Sequence, residues 1–220
     1  QTDGATERGG EDAKIIYFRG GLDERMNGVC AGGTGSFIDQ MASLLQMDAA
    51  GLNEAAKEYK EIYTIAARCG VFAKTDIQPL INDGASRADL AASIFQSVVN
   101  QTISGLACGK PIRGCVAFLG GPLHFLTELK AAFIRTLKLT PENIVDPPDS
   151  HLFAAMGAAM QEGGTVFDPL ALREKLARGV ETEQATKRLE PLFADQGEYD
   201  AFAARHAKAK VRRRELKDYA

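Results

Sequence analysis

A single cysteine stands in a glycine-rich stretch near the start of the sequence, and this pairing allows two kinds of chemistry. The stretch is NGVCAGGTGSF, residues 27–37, and it places Cys30 ahead of Gly33, Thr34 and Gly35. Glycine lets backbone N–H groups approach an anion closely, and a helix N-terminus adds further donors. A cysteine just before a helix is also a potential thiolate ligand. The stretch is therefore a candidate phosphate contact, a candidate metal ligand, or both.

A second cysteine, Cys69, stands in a similar setting, after an apolar segment and ahead of a helical one. A [4Fe–4S] cluster needs four thiolates, so two such cysteines would supply half of a site and a second copy the rest. No CxxC pair occurs among the four cysteines, so no local zinc knuckle is indicated. Cys108 closes a helix and Cys115 falls in an apolar strand, so neither is assigned to a site. On these residues alone, structural cysteines remain the alternative to metal ligands.

Three glycine turns are candidates for contact with a phosphate or a nucleotide. Their residues are Gly9, Gly10, Glu11 and Asp12; Gly33, Thr34 and Gly35; and Gly120 and Gly121. Each turn alone is equally typical of an ordinary connection. None matches GxxxxGK[ST], which disfavours a Walker-type phosphate loop. No Ser/His/Asp or HExxH arrangement accompanies them, so the catalytic residues stay unknown.

The elements that must position these turns alternate between strands and helices. The pattern predicts strands over residues 14–19, 22–26, 62–67, 115–122 and 143–145. Helices are predicted from residue 34, over 49–59, after residue 69, from about 87 to 108, over 123–137 and before Gly163. Ser86 and Asp89 form an acidic capping box at the start of the long helix. Such alternation favours a layered α/β domain.

Composition excludes several classes of function. The 220 residues are 45% hydrophobic and carry a net charge of -3, so no basic field for nucleic acid is present. No apolar run approaches the roughly 20 residues of a membrane span. The polar, glycine-rich N-terminus is not a signal peptide, so we expect a reducing, cytoplasmic location. The sequence does not begin with Met, and we expect it to be a piece of a longer protein.

Five motifs in a fixed order resemble the activators of 2-hydroxyacyl-CoA dehydratases and the ATPase subunits of benzoyl-CoA reductases (BadF/BadG/BcrA/BcrD type). The motifs are GGEDAKI, NGVCAGGTGSF, RCGVFAKTD, VAFLGGPLHFL and AAMGAAM, and they span residues 8–162. The sequence is most similar to the large, multidomain CoA-substrate-specific activases, in which two such modules lie in tandem. A single glycine pair would mean little, whereas five ordered motifs are specific.

The resemblance implies an α/β fold of the actin-like ATPase class (ASKHA), with ribonuclease H-like lobes that close on ATP or ADP and Mg²⁺. Residues 1–165 are expected to form the C-terminal part of one module, and residues 166–220 a helical connector toward a following module. The family's first phosphate hairpin, of D-x-G-S-T type, has no counterpart here and is expected upstream of Gln1. We therefore expect a partial module that binds ATP poorly and is inactive alone, with ATPase activity in the full-length protein.

The resemblance also assigns roles to the candidate residues. Cys30 and Cys69 match the family's two cluster cysteines, so a [4Fe–4S] cluster would be shared with a homodimer partner or a tandem module. The first and last glycine turns match the phosphate motif and the adenosine-side glycines. The implied function is to push one low-potential electron, at the expense of ATP, into a 2-hydroxyacyl-CoA dehydratase or a related CoA-substrate enzyme. The alternatives are a sugar-kinase-like or Hsp70-like ATPase module without a cluster, and a non-catalytic scaffold lobe.

Overall fold

The computed structural model describes residues 2–28, 30–67, 69–164, 168–179 and 189–211. The chain divides into two compact units, Gln1–Gly163 and Gly164–Ala220. All described strands lie in the first unit. No helix within the described ranges is long and apolar enough to cross a membrane.

One mixed sheet of five strands organises the first unit. The strands are β1 (Gly4–Arg8), β2 (Ala13–Tyr17), β3 (Asp23–Met26), β4 (Val116–Leu119) and β5 (Ile144–Val145). Their spatial order is β3-β2-β1-β4-β5, with the first three antiparallel and β4 and β5 parallel to β1. Because β1 and β4 are parallel neighbours, the turns that follow them emerge at the same edge of the sheet.

The central strand β1 is the element that the sequence pattern does not predict. Its sequence, GATER, contains only one β-branched residue and ends in a charge. Pairing with β2 on one side and β4 on the other nevertheless buries Ala5, Thr6 and Arg8. Strands β2, β3, β4 and β5 correspond to predicted strands.

Helices complete the first unit. They are α1 (Gly35–Leu44), α2 (Ala49–Ala56), α3 (Gly70–Asn82), α4 (Arg87–Gln101), α5 (Gly121–Phe125), α6 (Thr127–Leu137) and α7 (Phe153–Ala159), with a π-helical segment at Thr102–Ala107 and 3-10 turns at Pro141–Asn143 and Ser150–Leu152. The core lies between the sheet and α1, α2, α4 and α6, and α4 is its most deeply buried helix. Phe118 of β4 packs there against Phe133 of α6, with ring centroids 6.1 Å apart.

The predicted start of the long helix is confirmed. Ser86 is the N-cap of α4, and its hydroxyl oxygen accepts the backbone N–H of Asp89 at 3.1 Å. The helical path continues to Ala107 as predicted, but its last six residues form the π-helical segment. Cys108 then ends the helix in a left-handed conformation. The predicted helix over 123–137 is divided into α5 and α6 at Leu126.

The strand predicted over residues 62–67 is wrong. Within the described part of the chain, this segment forms no strand. Polar side chains of two helices accept backbone N–H groups of this segment instead: Ser93 of α4 accepts that of Tyr63 and Asp76 of α3 accepts that of Ala66, each at 2.8 Å. A β-branched pattern cannot distinguish this arrangement from a sheet strand, because both satisfy the backbone N–H groups.

The second unit contains the two remaining described helices, α8 (Pro169–Ala177) and α9 (Gln196–Ala207). Asp168 and Asp195 cap them by accepting backbone N–H groups. Phe193, which precedes α9, packs against Tyr199 and Phe202 of that helix. Residues 166–167, 180–188 and 212–220 of the predicted connector lie outside the described residues, as does residue 165 before it.

Candidate functional site

The first glycine turn closes the hairpin between β1 and β2. The backbone N–H of Gly9 donates to the carbonyl oxygen of Asp12 at 2.9 Å, which fixes a tight turn at the end of the central strand. Gly10, Glu11 and Asp12 are exposed. The structure thus presents this segment, called the phosphate turn below (residues 9–12), at the edge of the sheet.

The second glycine turn leads into α1 and is called the cysteine turn (residues 30–34). Thr34 is buried and precedes α1 as its N-cap residue, with its hydroxyl donating to the carbonyl of Ala31 at 2.6 Å. Gly33 has a φ of +77°, and a Cβ at this position would lie 2.6 Å from Oε1 of Gln101. The left-handed backbone conformation therefore favours glycine at Gly33, and an added Cβ would also displace the amide of Gln101.

The phosphate turn and the start of α1 are joined directly. The N–H of Gly35 donates to the carbonyl of Gly9 at 3.0 Å, and that of Ser36 donates to Gly10 at 2.6 Å. These are two of the first N–H groups of α1, which have no partner within the helix. Because the phosphate turn already accepts both N–H groups, Gly35 has no free N–H donor for a ligand. Its lack of a side chain instead allows a ligand to approach the backbone closely.

The third glycine turn connects β4 to α5. Gly120 is buried with a φ of +89°, and a Cβ there would lie 2.1 Å from the carbonyl oxygen of Arg8. The Gly120 N–H donates to the carbonyl of Ser150 at 3.0 Å. Gly121, the first residue of α5, has open space around its Cα. Gly120 therefore allows the end of β4 to pack closely against β1, whereas Gly121 faces open space.

The three glycine turns meet at one cavity. It has a volume of about 270 Å³ and is lined by one glycine from each candidate group, namely Gly10, Gly35 and Gly121. The remaining lining residues are Ile38, Asp39, Ala49, Pro122, Phe125 and Leu126. Small-molecule sites in proteins typically occupy about 300–1,000 Å³, so this cavity suits part of a nucleotide. Gly9, Glu11, Asp12, Gly33, Thr34 and Gly120 support its walls without lining it.

The two candidate cysteines line a second cavity, of about 220 Å³. Cys69 is half-buried and is the N-cap residue of α3, while Cys30 is exposed in the cysteine turn. The positive end of a helix dipole favours a thiolate at an N-cap, so the position of Cys69 suits a metal ligand. Phe37, Gly70 and Val71 supply the apolar part of the wall.

This chain offers two sulfur donors at the cavity and no complete ligand set. Among the described residues, no three His, Cys, Asp or Glu side chains are grouped closely enough to hold a metal ion. The other two cysteines do not line this cavity. Cys108 is exposed and lines a different cavity, of about 360 Å³, together with Cys30, and its sulfur lies 3.1 Å from the carbonyl of Gly105. Cys115 is half-buried, with its sulfur 3.6 Å from the carbonyl of Glu142. The donor set thus fits half of a four-thiolate site.

One site residue that the sequence analysis misses is Asn27. Its side-chain amide lies between the two turns: Nδ2 donates to the carbonyls of Glu11 at 3.1 Å and Cys30 at 2.9 Å, and Oδ1 accepts the N–H of Ala13 at 2.7 Å. In sequence, Asn before Gly is typical of any turn. No local signal therefore distinguishes it.

A second missed residue is Arg8, which lies immediately before the phosphate turn. Its guanidinium is fully buried, donates to the Thr102 hydroxyl and lies 5.6 Å from the ring centre of Phe133. Nε and Nη1 have no hydrogen-bond partner within the described part of the chain. Burial lowers the pKa of Arg8 to about 10, partly offset by the charge of Glu7, so it stays charged at neutral pH. Since the side chain points into the core, it is unavailable to a phosphate at the turn.

Solved structures and curated proteins of known activity are similar to this chain. The activating ATPase of (R)-2-hydroxyglutaryl-CoA dehydratase from Acidaminococcus fermentans is 34% identical over 115 residues, which cover 51% of this chain and 44% of that protein. The crystal structure of component A of the same dehydratase has a TM-score of 0.64 at 29% identity, covering 72% of this chain and 60% of that one. The activator of 2-hydroxyisocaproyl-CoA dehydratase from Clostridium difficile, solved with bound ADPNP, also has a TM-score of 0.64, at 25% identity, covering 87% and 66%.

These similarities confirm the predicted α/β fold of the actin-like ATPase class. The chain spans about half the length of the curated relatives it matches, 44% and 56% for two of them. Residues 1–161, the greater part of the chain, match the family described as BadF/BadG/BcrA/BcrD ATPases. The sheet, the ordered glycine turns and the paired cysteines all fall within those residues. The chain therefore belongs to the BadF/BadG/BcrA/BcrD ATPase family.

Proposed function

We propose that this chain is part of an ATP-dependent activator that transfers a low-potential electron, through a [4Fe–4S] cluster bridging two modules, to a 2-hydroxyacyl-CoA dehydratase or a related CoA-substrate enzyme. The observation that carries the proposal is that Cys30 and Cys69, 39 positions apart in the sequence, line one cavity. The relatives, which activate such dehydratases, supply the partner class.

Cys30 and Cys69 are the residues that would hold the cluster. When bound, the cluster supplies one-electron chemistry, and its remaining two thiolates would come from a second copy or a tandem module. Val71 and Phe72, in the first turn of α3, are 67% and 64% exposed next to Cys69. Exposed apolar side chains beside a half-complete ligand set favour a site that a second module covers.

The cavity formed by the three glycine turns is the proposed site of ATP or ADP with Mg²⁺. Gly10 and Gly35 would approach the phosphates, and Gly121 and Phe125 would contact the nucleoside. The neighbour solved with ADPNP supports a nucleotide in this family. We propose that this chain alone binds ATP weakly, because it spans only about half of its relatives' length. Titration calorimetry that gives a low-micromolar Kd for ATP would contradict this.

The domain organisation and location belong to the same proposal. We assign residues 1–165 to one activase module and residues 166–220 to a helical connector toward a following module. Thiolate ligands of an oxygen-sensitive cluster need a reducing compartment, so the proposed location is the cytoplasm. ATP hydrolysis would then be a property of the full-length protein.

Anaerobic reconstitution of single-cysteine variants tests the proposal. Cys30→Ala and Cys69→Ala should lose iron and the visible absorbance of the cluster. Cys108→Ala and Cys115→Ala are matched controls and should keep both, because neither residue lines the cavity that Cys30 and Cys69 share. Full iron uptake by Cys30→Ala would overturn the assignment. A wild-type chain that takes up no iron would favour the alternative of an ATPase module without a cluster.

A further inference from the structure

Asn27 is the residue that connects the phosphate turn to Cys30. It follows β3, and its backbone N–H donates to the carbonyl of Ala13 at 3.0 Å, which extends the β2–β3 pairing by one residue. This register places the Asn27 side chain beside the end of the phosphate turn. From there Nδ2 donates both to the carbonyl of Glu11 and to that of Cys30.

The Asn27 amide supplies the two donors and one acceptor that the backbone groups around it require. Both N–H groups of Nδ2 are used, and Oδ1 accepts the N–H of Ala13. A carboxylate of the same shape would keep the acceptor but lose both donors, and would place negative charge against two carbonyl oxygens. A serine hydroxyl has one donor and a shorter reach. Of these three side chains, only the amide can make all three contacts.

The other contact between the turns does not reach the cysteine. Gly35 and Ser36 bind the carbonyls of Gly9 and Gly10 at the start of α1, beyond the cysteine turn. Asn27, by contrast, holds the carbonyl oxygen of Cys30 itself. One side chain therefore contacts the backbone of both turns, at Glu11 and at Cys30.

We propose that Asn27 is a positioning residue that transmits the state of the phosphate turn to Cys30. This inference rests on the proposed function, because nucleotide would set the state of that turn and Cys30 would ligate the cluster. Coupling between two sites is reciprocal, so the occupant of the cysteine site would equally affect nucleotide affinity. The claim itself concerns only this chain's own residues and can be measured without iron.

The test is amide hydrogen exchange of the full chain, with and without millimolar Mg-ADP as the probe. In the wild type, ADP should slow exchange about fivefold or more in peptides from the phosphate turn and from residues 27–34, a common size of coupling. In Asn27→Asp and Asn27→Ser, the phosphate turn should keep this protection and residues 27–34 should lose it. Gly35 and Ser36 serve as an internal reference, because they contact the phosphate turn directly and should stay protected.

Asn53→Asp is the matched control. The Asn53 amide also bridges two segments, accepting the N–H of Glu128 at 2.9 Å and donating to Thr127 at 3.3 Å, but it lies between α2 and α6. This variant loses the same kind of donor and should show the wild-type response to ADP.

Two results would overturn the proposal. One is that ADP still protects residues 27–34 in Asn27→Asp. The other is that ADP does not protect residues 27–34 in the wild type, whether or not it protects the phosphate turn. The reconstitution experiment tests the cluster assignment independently, because a wrong assignment would appear there as missing iron.

Discussion

Replacing Gly120 with alanine should disrupt the contact between the strands that carry two of the glycine turns. Gly120 has φ +89° and ψ 160°, a backbone region that is essentially restricted to glycine and costs other residues about 1–3 kcal/mol. A Cβ there would lie 2.1 Å from the carbonyl oxygen of Arg8 and 2.7 Å from its carbonyl carbon. Because these are backbone atoms of the central strand β1, no side-chain rotation relieves the clash.

The expected loss of stability is the sum of these two effects. Forcing extra atoms into a well-packed interior costs about 1–3 kcal/mol, so with the backbone strain we expect about 2–6 kcal/mol. Domains of this kind are stable by only about 5–15 kcal/mol in total, so the loss should be plain in any unfolding experiment.

Urea unfolding followed by far-UV circular dichroism is the assay, since the chain has no tryptophan. Gly121→Ala is the matched control, because its φ is not positive and no atom lies within 4 Å of the added Cβ. The control should stay within about 0.5 kcal/mol of the wild type. If the free energy of unfolding of Gly120→Ala also stayed within about 0.5 kcal/mol of the wild type, the close packing of Gly120 against β1 would be refuted.

Two further changes test the buried charges. Arg8→Met should leave the free energy of unfolding unchanged or raise it by about 1–3 kcal/mol, because it removes a buried guanidinium whose Nε and Nη1 have no partner among the described residues. A loss above about 1 kcal/mol in urea unfolding would contradict this. The Ser86 hydroxyl, followed by the N–H groups of residues 60 and 61, lowers the pKa of Asp89 below 3.8. Its stabilisation is thus present above that pH and lost as pH falls through the lower folded value, so Asp89→Asn should be less stable at neutral pH and lose less on acidification. Equal acid dependence of wild type and variant would speak against this role.

The sequence predicts the layered α/β class and most of its elements because their local signals are strong. The capping residues Ser86 and Asp89 mark the start of α4, and the apolar run before Gly120 marks β4. β1 escapes prediction because its stability comes from two strand partners rather than from its own composition. Residues 62–67 mislead for the opposite reason, since their β-branched pattern suits a sheet but side chains of α3 and α4 accept their backbone N–H groups.

The same division between local and distant signals applies to the site. The cysteines and glycine turns are visible in the sequence because the chemistry requires those residue types. Asn27 and Arg8 are not visible, because their roles depend on partners brought near by strand register and helix packing. The Asn27 side chain reaches Glu11 only because the β2–β3 hairpin places Asn27 opposite Ala13. Contacts of that kind require the register, which single-sequence patterns do not specify.

Native mass spectrometry of the anaerobically reconstituted chain tests the bridging cluster most directly. Cys30 and Cys69 supply two of the four thiolates that a [4Fe–4S] cluster needs, so cluster assembly and association should occur together. The account predicts a species with the mass of two chains and one [4Fe–4S] cluster, and chelation of the iron should return it to single chains. A complete cluster on a single chain, or an iron-loaded pair of chains in the Cys69→Ala variant, would contradict it.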